Sequence, residues 1–170
     1  PKNQRKCKVA LWFLERPAGK FPEFVARTKE LLETQLEYCI FADRAMHSHV
    51  KHLSGAIFMP GGSHTALGSL EDRGKSFDFC HMSYNWGRRG NVLNELPTLK
   101  IGENCWGDAR HDTLLKSKFM VNVHQDADNF HEPLRFALCA AYGIPMISES
   151  CFDPYPYEDM KDIITVPYGN

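Results

Sequence analysis

One stretch of the sequence crowds together side chains that bind and move charge. Val121-Asn-Val-His124-Gln-Asp-Ala-Asp-Asn129-Phe-His131-Glu132-Pro-Leu-Arg135 carries two histidines, two aspartates, Asn129, Glu132 and Arg135 between an apolar run and a helical pattern. A helix amino terminus entered from a buried strand presents free N–H groups and the positive end of a dipole, which suits a diphosphate. Arg135, one turn in, adds a planar fork that pairs with phosphate or carboxylate oxygens. Asn129 and Glu132 also have the N-cap to N3 spacing of a capping box, which accounts for both without a ligand.

Other constellations carry less. His47, His49 and His52 sit close together, but no cysteine pair or further ligand stands at a fixed spacing nearby, so they read as surface histidines rather than a zinc set. Gly61-Gly62-Ser63-His64 lacks the spacing of a P-loop or a dinucleotide turn and reads as an interdomain turn. Cys80-His81 reads as a strand with one buried face, and Trp12, Trp86 and Trp106 fit either a core or a substrate-facing surface. The six cysteines are widely scattered, which points to reduced thiols and a cytoplasmic setting.

The elements that must position these residues alternate along the chain. Lys8 to Leu14 reads as a strand, and Phe24, Val25, Thr28, Leu31 and Leu32 follow at helical spacing. Tyr38 to Ala42 is the next strand, Arg44 to Leu53 a short helix, and Ala56 to Met59 a third strand. Ser63 to Ser76, polar and glycine-bearing, reads as a linker. The alternation then resumes with strands at Phe77 to Met82, Thr98 to Ile101, Phe119 to His124 and Met146 to Ser148. The intervening helices are Arg88 to Leu96, Ala109 to Ser117 and the run of Leu134, Ala137, Leu138 and Ala141. A last apolar run covers Ile163 to Val166. Such alternation predicts parallel βαβ units, with Phe119 to Val123 central and function at the carboxyl ends of the strands.

At 170 residues, with 43% apolar content and a formal charge of -1, the chain has enough material for a real core. It has no global field for nucleic acid or anionic lipid, and the charge does not exclude nucleic acid as a partner. No apolar run approaches the length of a membrane span.

In their order, these segments resemble GT-B glycosyltransferases. Lys118-Phe-Met-Val-Asn-Val-His124, then His131-Glu132-Pro-Leu-Arg135 and Gly143-Ile-Pro-Met-Ile-Ser-Glu149, are similar to the carboxyl-terminal domain, which binds a nucleotide sugar. Asp78-Phe-Cys with Arg88-Arg89-Gly-Asn-Val-Leu-Asn-Glu-Leu96 is similar to the strand and helix that open that domain. Leu11-Trp-Phe-Leu-Glu15 and Phe58-Met-Pro-Gly-Gly62 look like the end of the amino-terminal domain.

The resemblance implies an α/β fold with Rossmann-like parallel sheets of GT-B type, whose amino-terminal domain is incomplete. Residues 1–62 are then a partial acceptor-side domain, 63–76 a linker and 77–170 the nucleotide-sugar-binding domain. It implies transfer of a hexosyl-type sugar from a nucleoside diphosphate donor to an unknown acceptor, with no metal or cofactor. Arg88, Arg89, His124, Asn129, Glu132, Arg135 and Glu149 would be at the donor, and no catalytic residue is assigned. Phe130 and Leu138 stand where the commonest motif has two glutamates, and Ser83 stands where it has a glycine. The alternative is a degenerate, noncatalytic binding module of the same fold.

Overall fold

The computed structural model describes residues 2–14, 21–71, 73–102, 104–125 and 131–169. These form two compact units: the first runs to Gly61 and takes in Pro133, and the second begins at Gly62 and resumes at Leu134.

In the first unit, β1 (Ala10–Phe13), α1 (Phe21–Thr34), β2 (Tyr38–Phe41), α2 (Arg44–Val50) and β3 (Ala56–Phe58) alternate, and the strands pair in parallel in the order β1-β2-β3. Phe24, Thr28 and Leu32, four residues apart along α1, are buried. The phenyl rings of Phe13 and Phe41 stack at 5.0 Å, and Phe24 meets Phe41 edge-on at 5.8 Å. Asp43 starts α2 by accepting a hydrogen bond from the Met46 amide at 2.8 Å. Both helices pack on the sheet face that carries Cys39 and Phe41. Alternation turns Trp12, Tyr38, Ile40 and Ile57 to the other face, where Trp12 is 45% and Ile57 40% exposed.

The second unit holds β4 (Phe77–His81), α3 (Gly87–Leu93), β5 (Leu99–Ile101), α4 (Gly107–Leu115), β6 (Ser117–Asn122), α5 (Pro133–Tyr142), β7 (Met146–Glu149) and β8 (Ile164–Val166). All five strands are parallel, in the order β5-β4-β6-β7-β8, so β6 is the middle strand. Leu93 of α3 packs with Val121, Val123 and Phe79 on one face. Leu114 and Leu115 of α4, and Phe136 and Cys139 of α5, pack with Cys80, Met120 and Met146 on the other.

Element ends differ from the sequence reading for local reasons. β6 begins at Ser117 because its hydroxyl donates to the Thr113 carbonyl at 2.7 Å, which satisfies a polar group in a buried strand. It ends at Asn122, which leaves Val123 and His124 beyond the ladder. The polar stretch read as a linker is partly structured. It holds a 3-10 turn at Thr65–Leu67, and a Cβ on Gly68 would lie 2.0 Å from the Ala141 carbonyl oxygen, so the chain packs against the end of α5 there.

Candidate functional site

β4 and β6 are neighbours whose onward connections diverge. β4 leads through α3 to β5 on one side, and β6 leads through α5 to β7 on the other, with the two helices on opposite faces. A crevice opens at the carboxyl ends of strands where the order reverses in this way, and such crevices are where parallel sheets take ligands.

At this edge α3 contributes two arginines. Arg88 grips both carboxylate oxygens of Glu149, the last residue of β7, with Nη1 donating to Oε2 at 3.0 Å and Nη2 donating to Oε1. Nη1 also donates to the His124 carbonyl at 3.1 Å, and the Tyr168 ring lies 4.1 Å from the guanidinium carbon. Glu149, 4% exposed, further accepts from the His124 amide at 2.8 Å and the Gly169 amide at 3.3 Å. Burial pushes the Glu149 carboxyl up, but the Arg88 pair and the two amides outweigh it and hold it below the usual carboxylate range. The same pair raises the Arg88 guanidinium.

Arg89 is buried and ties elements together: its Nε donates to the Val123 carbonyl at 2.8 Å, and its Nη1 to the Ser83 hydroxyl at 3.0 Å. Across β6 and β7, Asn122 donates to the Ser148 hydroxyl at 3.0 Å and accepts from Arg135 Nη1. Ser148 in turn donates to the Glu149 carbonyl at 2.8 Å, and His124 Nε2 lies 3.2 Å from that same oxygen. His81 closes the floor, with Nδ1 donating to the Val121 carbonyl at 2.9 Å. Its burial lowers its pKa to about 4, and Arg135 and Arg89 add to the depression. The imidazole is therefore neutral at physiological pH.

Arg88, Arg89, His124 and Glu149 thus meet at one place, and Arg135 reaches it through Asn122 and Ser148. Asn129 lies outside the described residues. Glu132 needs a correction: it is not in the first turn of a helix but directly before Pro133, the first residue of α5, and it groups with the first unit. Proline is preorganised for the first helical position, where its missing N–H would have no intrahelical partner, so Glu132 takes the N-cap place and not the N3 place. Several participants were not assigned to the site from sequence, among them Asn122, Ser148, Tyr168 and Gly169. Asn122 and Ser148 had a signal, as polar residues at the carboxyl ends of apolar strands. Tyr168 and Gly169 had none, because their contacts come from the far end of the chain.

No protein-family profile matches the chain, and no solved structure matches it. The chain is similar to uncharacterized protein L138 of Acanthamoeba polyphaga mimivirus, at 28% identity in an alignment 95 positions long that covers 52% of this chain and 10% of the viral protein. The similarity therefore spans about a tenth of that relative's length.

Proposed function

We propose that the second unit binds a nucleoside diphosphate sugar at the carboxyl edge of its sheet, and that the chain belongs to a glycosyltransferase of GT-B type. The observation that carries this reading is the convergence of Arg88, Arg89, His124, Arg135 and Glu149 around the point where the strand order reverses. Arg88 and Glu149 satisfy each other, so their pair acts as a fixed floor. The phosphates then draw on Arg135 and on the amino terminus of α5, which develops its partial positive charge toward the same edge. Negative charge that builds on the diphosphate as the glycosidic bond breaks is stabilised by these fixed donors. The acceptor hydroxyl supplies the new bond and loses its proton to a base outside this set.

Mutual saturation of Arg88 and Glu149 also favours a second reading, a binding module of the same fold without turnover. Calorimetric titration with UDP, GDP, ADP and their hexose conjugates separates the readings. Donor binding followed by donor hydrolysis supports the transferase, and binding without hydrolysis supports the module. Arg135→Lys keeps the charge and loses the fork. It is expected to weaken the best-bound donor by about 1–3 kcal/mol, the scale of a hydrogen bond to a charged group. Unchanged affinity in this variant would sink the assignment.

A further inference from the structure

β1 is an edge strand whose second side carries no partner strand among the described residues. The Val9 carbonyl accepts from the Glu37 amide at 3.0 Å and the Phe13 carbonyl from the Ala42 amide at 3.1 Å, so these two residues face β2. Backbone groups alternate sides along a parallel strand, which turns Leu11 to β2 as well and sends the N–H and C=O groups of Ala10 and Trp12 outward. An open row of donors and acceptors is a template for another strand.

Natural edges are blunted by lysine, proline or a bulge, and this one is not. Val9-Ala10-Leu11-Trp12-Phe13-Leu14 contains no charge, proline or glycine. Packing within the unit leaves the strand open too: Leu11, on the helix side, is 39% exposed, and Trp12, on the bare side, 45%. With a formal charge of -1, two copies of the chain hardly repel each other.

The edge also fits itself. A twofold axis normal to the sheet runs two β1 strands antiparallel and keeps both bare faces on the same side. With the axis at Leu11, Ala10 of each copy stands opposite Trp12 of the other, and the outward groups of each such pair exchange hydrogen bonds. The indole then lies beside a methyl group, large against small, and extends a row that runs Trp12, Ile40, Ile57 across the three strands. The two Leu11 side chains meet at the axis on the helix side, in the closer, non-hydrogen-bonded kind of pair.

We propose that β1 is a self-association edge, through which two copies of this chain form one continuous sheet. The inference is independent of the donor reading, since it concerns the first unit alone. One short edge is a small contact beside the roughly 800 Å² per partner of standard interfaces, so dimers are expected at about 10–500 µM chain. In sedimentation equilibrium of the full chain, the average mass should climb toward twice the chain mass over that range. Ala10→Pro removes an outward N–H that β2 does not use, and Leu11→Lys brings two charges together at the axis. Each is expected to shift association about tenfold to higher concentration, the loss of one or two hydrogen bonds or their equivalent, with helical circular dichroism retained. Leu67→Ala, at an exposed apolar side chain of the second unit, should leave association unchanged.

Leu11→Cys reads the register, in a Cys7→Ser background that removes the exposed native thiol. Non-hydrogen-bonded pairs hold their Cα atoms about 4.5 Å apart, within the range of a disulfide. Mild oxidation should therefore give a reducible dimer, and far less of it from Ile57→Cys on β3 in the same background. A monomer mass across the whole concentration range, unaltered association in both Ala10→Pro and Leu11→Lys, or equal cross-linking at positions 11 and 57 would overturn the proposal. If one variant loses its circular dichroism, the other variant and the cross-linking decide.

Discussion

Glu149 accepts hydrogen bonds from Arg88, from the His124 amide and from the Gly169 amide, and so joins three parts of the second unit through one carboxylate. Removing it as Glu149→Ala leaves Arg88 without its carboxylate in a half-buried place. A fully buried pair would cost about 3–5 kcal/mol to break, and partial exposure of Arg88 reduces the expected loss to about 2 kcal/mol, readable by urea unfolding. His81 gives a pH signature. Its ordinary pKa of 6.5 falls to about 4 in the fold, so between these values the unfolded chain takes up a proton that the folded chain refuses. Stability is full above pH 6.5 and falls through that window by roughly 3 kcal/mol, to which Glu149 adds a loss below its own ordinary value of 4.5. In His81→Asn the slope between pH 6.5 and 4 should flatten, and an unchanged slope would show that other groups carry it. The Arg88, His124 and Glu149 positions were legible in the sequence because each stands at or near a strand end or a helix start, where parallel sheets gather function. The Tyr168 stacking was not, since nothing local to Tyr168 says which surface the chain returns to.

At the scale of elements, periodicity found every strand and helix named from the sequence but misplaced several ends by one or more residues. Those errors have causes in particular bonds: a hydroxyl that satisfies itself on the preceding turn lets Ser117 enter β6, and Trp-Gly starts extend α3 and α4 ahead of their first recognisable helical residues. Within Ser63 to Ser76, the stretch read as a linker, Gly68 approaches α5 closely. A methyl group at Gly68 would meet the Ala141 carbonyl oxygen at 2.0 Å and the Ala141 methyl at 2.9 Å, so this junction cannot absorb even one carbon. Gly68→Ala is expected to lower stability by about 1–3 kcal/mol, the usual range for overpacking. Differential scanning calorimetry checks it, and a melting temperature equal to the wild type would mean that the contact yields.

Across the whole molecule the two sheets are covered unequally. The second unit has helices on both faces, as a parallel sheet requires. The first unit has its helices on one face and leaves Trp12, Ile57 and Met59 substantially exposed on the other side or at its strand end. Exposed apolar surface of this kind binds anilinonaphthalene dyes in the folded state. Trp12→Ser combined with Ile57→Thr is expected to lower dye fluorescence at least by half without loss of helical circular dichroism. Equal fluorescence in the double variant would place the apolar surface elsewhere. The sequence announced the strands of this unit but not their unequal covering, because a strand destined for two helical layers and a strand with one bare face share the same apolar composition.

The strand order of the second unit also sets a timetable for its formation. β4 sits between β5 and β6, and Phe77 lies opposite Ser117, roughly forty residues later in the chain, a separation that slows closure. During synthesis β4 can pair with β5 as soon as Leu99 to Ile101 emerge, but its other edge stays open until β6 has left the ribosome. For that interval the apolar side chains Phe79 and Cys80 wait beside an unfilled slot, in a nascent chain that another copy on the same messenger could enter. A strand order that turns back on itself therefore leaves β4 half-paired until β6 emerges, and slower synthesis lengthens that interval.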